Sequence, residues 1–136
     1  MERTSNRTME LIGYAALVLL TILICGFSLF VGYNKALAPY AVLVEHSAWT
    51  IHLPVLLGKA LGWLEMLAAS IGILALPFAR HARAGTLAVA WIGLNHAVAA
   101  VFHIANQEWH TLPQSAVMIT LCLVLTALYA HRTRNA

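Results

Sequence analysis

Two groups of residues in this sequence have the types and spacing to do chemistry. The first centres on one acid inside a long apolar run. Within LLGKALGWLEMLAASIGILALP, Gly58, Gly62, Glu65, Ala69 and Gly72 follow one another at spacings of four, three, four and three. On a helix these positions share one face. Small residues let a neighbouring helix come close, and a carboxylate in lipid must turn toward such a neighbour. Burying that charge at the bilayer centre costs about 2.5–3.5 kcal/mol on insertion scales, so Glu65 needs a partner or a proton. Counted from the centres of the apolar runs, Asn95 and His96 fall at the depth of Glu65, and a contact from Glu65 to one of them is expected. Such a cluster could move protons or hold the polar head of a quinone or another lipid-soluble ligand. Glu65 and His96 would be its reactive groups, with Asn95, His103 and Lys59 helping to hold the ligand. Lys59 and His103 lie roughly 9–12 Å nearer one surface, at 1.5 Å per residue. Lys59 is about 120° around the helix from Glu65 and is placed to snorkel outward. The same residues can also be read as a polar contact that fixes helix register and does no chemistry.

The second group is a set of histidines near that surface. His46, His52, His103 and His110 could converge there with Glu45 and Glu108. Imidazole and carboxylate suit zinc, copper(II) or non-haem iron, and a haem between His52 and His103 is a further option. No HxxH, HExxH or CxxC pair occurs, so these histidines also read as interfacial hydrogen-bonding groups and no metal ligand set is assigned. Trp49 and Trp109 fall at the same boundary and read as interfacial anchors. Trp63 and Trp91 lie inside apolar runs as packing residues. Nothing resembles a phosphate loop, a nucleophile elbow or a Ser–His–Asp set. The chain has no Asp, so carboxylate chemistry would fall on five Glu.

The elements that must position these groups are membrane spans. Of 136 residues, 61% are hydrophobic and 10% charged, and mean hydropathy is +0.79. A soluble domain carries about a quarter charged residues, so the composition is that of a protein in contact with lipid. Spans are expected at about 10–31, 54–76, 85–105 and 113–130, in one all-α, four-helix transmembrane domain. Ala36-Leu37-Ala38 resembles a signal-cleavage pattern. However, the preceding apolar run exceeds a signal h-region and Pro39 follows directly, so the first run is read as an uncleaved span. On that span Thr21, Cys25, Ser28 and Gly32 repeat the four-three-four spacing. Residues 34–53 are expected to connect the first two spans, with an interfacial helix over 41–49. Pro54 suits a first helical turn and Pro77 a stop.

Four spans put both termini and the 78–84 link on one side, with Arg3, Arg7, Arg80, Arg83, Arg132 and Arg134, and leave Lys35 on the other. The positive-inside rule then makes the termini cytoplasmic. Basic residues are scattered at helix ends, and a net charge of +3 gives no reason to expect nucleic acid. Cys25 and Cys122 lie inside apolar runs and read as buried thiols.

Several stretches together resemble the DoxX-like family of small membrane proteins. Phe30-Val31-Gly32-Tyr33-Asn34-Lys35-Ala36-Leu37 is similar to the end of the family's first helix. Trp49 with Leu53-Pro54 resembles its first external segment. Leu57 through Glu65 and on to Pro77, with G-x-x-E at Gly62 and Glu65, looks like its second helix. Lys35 and Glu65 match recurrent family positions. The resemblance implies a four-helix membrane bundle. For function it implies kinship with a membrane subunit of a thiosulfate:quinone oxidoreductase, with membrane parts of redox-stress complexes, and with distant eukaryotic chaperones. The expected role is a bacterial inner-membrane subunit or accessory of a redox or quinone-linked complex. It would work in the lipid bilayer with another membrane or periplasmic protein, alongside homo-oligomer formation through glycine faces. The alternatives are a non-catalytic assembly factor and a periplasm-facing metal-binding protein.

Overall fold

The computed structural model describes residues 2–134, with side chains from Arg7 onward. Arg3, used above for topology, therefore lies outside the described side chains. All regular structure among the described residues is helical: α1 (Glu2–Leu37), α2 (Tyr40–Glu45), α3 (Val55–Ala75), α4 (Ala82–Ala105) and α5 (Leu112–Arg134), with single 3₁₀ turns at Trp49–His52, Ala79–His81 and Trp109–Thr111. Four helices, all but the short α2, are long and apolar enough to cross a membrane. Outward faces such as Leu19, Leu56, Leu74 and Leu123 stay exposed, as a lipid-facing surface requires. Hydroxyls within the helices return to the carbonyl one turn back, Thr21 to Leu17 at 2.7 Å and Ser70 to Met66 at 2.8 Å. No polar atom of these side chains then has to face hydrocarbon alone.

The helices pack in the cyclic order α1–α3–α4–α5, and the α1–α3 and α4–α5 contacts are the most extensive. Glycine sets the α1–α3 distance. A Cβ on Gly62 would lie 2.6 Å from the Ala36 amide nitrogen and 2.7 Å from the Gly32 carbonyl, and one on Gly32 would lie 2.8 Å from the Gly62 carbonyl. The two backbones touch, which only glycine permits at both positions. Gly58, Gly62 and Gly72 are thus used inside the bundle.

At the end that carries the termini, Tyr129 closes the ring. Its buried hydroxyl donates to the Gly72 carbonyl at 2.8 Å and lies 3.2 Å from Thr21 Oγ1, tying α5 to α3 and α1. Arg132 donates to the Leu76 carbonyl at the C-terminus of α3, where a cation also suits the helix dipole.

The opposite end is built by two matching turns. After α2, His46, Ser47 and Ala48 donate to the carbonyls of Val42, Val44 and Leu43. After α4, Asn106, Gln107 and Glu108 donate to those of Phe102, Ile104 and His103. Both are Schellman motifs, with Ser47 (φ 49°) and Gln107 (φ 61°) in the left-handed position usually held by glycine. The first aims the chain back into the bundle, so the 3₁₀ turn that follows contacts α3 and α4. This corrects two expectations. The 41–49 stretch is a shorter helix followed by an inward turn, and Trp49 is a buried residue at 5% exposure, its ring 5.2 Å from that of Phe102. Trp109, 60% exposed, remains at the boundary.

Candidate functional site

The first span continues as helix to Leu37, six residues past the end of its apolar run at Val31. Lys35 therefore sits in the last turn of α1, buried, and does not mark an external loop. Because Gly32 and Gly62 bring the backbones together, the Lys35 stem passes over Gly62 and its ammonium reaches one turn along α3. Nζ lies 2.6 Å from Glu65 Oε2, in a pair whose side chains are 5% and 0% exposed. On its other side Nζ lies 5.6 Å from the centre of the Trp49 ring, a favourable position for a cation. The expected contact from Glu65 to His96 or Asn95 is thus replaced by one to Lys35. No hydrogen bond joins Glu65 to α4. A full opposite charge on a touching helix outcompetes a neutral imidazole or amide for a buried carboxylate.

Around the pair, several polar atoms are buried without a hydrogen-bond partner: Glu65 Oε1, Asn95 Nδ2, His96 Nε2, Trp49 Nε1 and Ser28 Oγ. Buried polar groups are otherwise satisfied in all but a few cases, and two of these atoms, Trp49 Nε1 and His96 Nε2, belong to residues that also line a cleft. The cleft, of about 330 Å³, lies between α1, α4 and α5, roofed by residues 42–49. Lys35, Trp49, His96 and His103 line it among apolar residues such as Phe27 and Phe30. The Phe27 and His96 rings stack across it at 6.4 Å. Glu65 stands behind Lys35. Of the other residues singled out by sequence, Asn95 is buried but does not line this cleft. Lys59 is exposed and borders a smaller recess of about 30 Å³, which Lys35 and Leu43 also line.

The histidines near the roof are partly drawn together. Glu108, folded back by the turn at Gln107, accepts from both His103 and His52, with Oε2 2.6 Å from His103 Nδ1 and Oε1 3.1 Å from His52 Nε2. Burial raises the Glu108 pKa, but the bonds to the two imidazoles outweigh it and hold the carboxyl below its ordinary range. His46 reaches the cleft wall, while Glu45 and His110 are exposed and apart. Among the described residues, no group of three or more His, Cys, Asp or Glu is arranged to hold a metal ion. Cys25 and Cys122 are free and buried.

A family model described as the DoxX-like family matches residues 19–127, a stretch that holds α3, α4, the cleft and the Lys35–Glu65 pair. The chain belongs to the DoxX-like family. It is a multi-pass helical membrane protein. No curated protein and no solved structure matches this DoxX-like chain. Of the residues singled out by sequence, His96 and His103 line the cleft and Glu65 belongs to the buried pair. Sequence reasoning missed Lys35 and Trp49 as site residues and did not assign Glu108 its bridging role. For Lys35 the signal was present: it continues the Thr21, Cys25, Ser28, Gly32 series by a further three residues.

Proposed function

We propose that this protein is an inner-membrane subunit or accessory of a redox complex, and that its cleft holds the polar head of a quinone. The observation that carries the reading is that Lys35, paired with the buried Glu65, lines a cleft of about 330 Å³ in which Phe27, Phe30 and Leu43 alternate with polar side chains such as His96, His103 and Gln114. A ring head group fits the small end of the usual range of ligand sites, about 300–1,000 Å³. The Lys35 ammonium and the unpartnered Trp49 N–H favour a ligand with acceptor oxygens. The apolar part of the lining, Phe27, Phe30 and Val31 on α1, favours one that arrives through lipid. In this reading the basic end, with Arg80, Arg83, Arg132 and Arg134, is cytoplasmic and the cleft opens toward the other side. A partner protein supplies the soluble half of the reaction, since the described residues outside the helices are short links.

The test is titration of the detergent-purified protein with decylubiquinone, followed by tryptophan fluorescence. Saturable binding is expected, weakened about tenfold or more by Lys35→Met/Glu65→Gln, which removes both charges together and so spares the fold. Absence of saturable binding by the wild-type protein would remove the quinone reading.

A further inference from the structure

His103 is 6% exposed and lines the cleft. Its Nδ1 is 2.6 Å from Glu108 Oε2. Glu108 is held ionised by its two imidazole partners, and a carboxylate only accepts hydrogen bonds. The hydrogen of that bond therefore belongs to Nδ1. A neutral imidazole carries one ring hydrogen, so Nε2 is left as a lone-pair acceptor with no protein partner. A carboxylate that fixes the tautomer of a working histidine is a recurrent device. Here it is reinforced by the backbone, because the left-handed Gln107 and the bond from the Glu108 amide to the His103 carbonyl, at 2.8 Å, hold the acid over the ring. The cleft thus has unlike poles. Lys35 presents N–H donors, and His103 presents an acceptor.

We infer that His103, oriented by Glu108, makes the cleft select a ring bearing a hydroxyl, a hydroquinone, over the corresponding quinone. Resting on the reading of the cleft as a quinone site, this names the redox form that is held. A hydroquinone hydroxyl donates to Nε2 and still accepts from Lys35. A quinone has only acceptor oxygens, so one of them meets the His103 lone pair and leaves both unsatisfied, which is how hydrogen-bonding sites discriminate. Protonating His103 turns Nε2 into a donor and reverses the preference. The groups facing His103 are Glu108 from the α4–α5 link, His52 from the 3₁₀ turn, His96 on its own helix, Lys35 on α1 and His46 from the roof. His46 and His52 are the neighbouring imidazoles outside the spans, and the variants below separate their contributions.

The experiment compares dissociation constants of decylubiquinol and decylubiquinone for the full-length protein in detergent, without oxygen, at about pH 8 and about pH 5.5. At the higher pH the quinol is expected to bind about fivefold or more tighter, the effect of one hydrogen bond. At the lower pH the ratio should fall to one or invert. Glu108→Gln, which can donate to Nδ1 and frees the tautomer, should bring the ratio near one at the higher pH. His46→Gln and His52→Gln should keep a pH-dependent ratio. Equal binding of the two forms by the wild-type protein at the higher pH, or an unchanged ratio in Glu108→Gln, overturns the assignment while leaving the quinone site standing. Failure of both forms to bind overturns the two together. The wild-type pH comparison needs no variant to fold.

Discussion

Replacing Lys35 with Met tests the central pair most directly. Met keeps most of the side-chain length over Gly62 and removes the charge. With Nζ and Oε2 2.6 Å apart, the attraction at an effective dielectric constant of about 20 is about 6 kcal/mol. Part of that is returned because the ammonium no longer has to be buried. The variant is therefore expected to lose about 3–5 kcal/mol of stability, the cost of leaving one member of a buried pair without the other. Glu65→Gln should lose a similar amount by stranding the ammonium. Lys35→Met/Glu65→Gln should lie within about 1 kcal/mol of the wild type, because two uncharged side chains of similar volume need no mutual compensation. Reversible unfolding in mixed micelles of rising SDS content, followed by circular dichroism, gives the three differences. The cycle then yields a coupling of several kcal/mol. If the losses of the two single variants simply add in the double, the pair is not the unit described and its role in placing α1 on α3 is refuted.

Two further outcomes follow from the same geometry. Gly62→Ala would set a methyl 2.6–2.7 Å from backbone atoms of α1 and should cost about 1–3 kcal/mol or more in the same unfolding assay, and weaken decylubiquinone binding as the pair separates. Gly26→Ala, with nothing within 4 Å of the new atom, should be neutral or gain up to about 1 kcal/mol from helix propensity. Because the folded Glu108 pKa is depressed, its bridge contributes stability above the unfolded value of about 4.5 and loses it as pH falls through the lower folded value. Protection of the amides of residues 50–53, measured against their intrinsic exchange rates, should therefore fall in that acid window in the wild-type protein, and in Glu108→Gln it should be low already and change no further there.

The four spans were legible because lipid-facing helices leave unbroken apolar runs, and the small-residue stripes on the first two marked the faces that meet. The partner of Glu65 was less legible for a definite reason. Depth counted along the chain assumes that each helix ends where its apolar run ends, whereas α1 continues six residues beyond and carries Lys35 inward. Asn95 and His96 do lie near, but a charge on a helix held at glycine contact takes precedence. Trp49 misled because an aromatic residue between polar ones fits an interfacial anchor and a buried cap equally well. The turn at Ser47, which lacks the glycine that would have announced it, decides between them. Glu108 shows the reverse case: it was grouped with His103 and His52 near one surface, and the left-handed Gln107 makes that grouping a pair of bonds.

The seams between helices are unequal, and this bears on how a guest could come and go. Where α1 meets α3, backbone lies on backbone at Gly32 and Gly62, which leaves no gap between them there. The seam between α1 and α5 is pinned near the termini by the Tyr129 hydroxyl, while its other half is the cleft, covered by the short segment that bears Trp49. Exchange with the surroundings therefore falls to that cover and to the gap beside it. A greasy molecule could pass sideways from the acyl chains to the ammonium without crossing water, while the scaffold around it stays still.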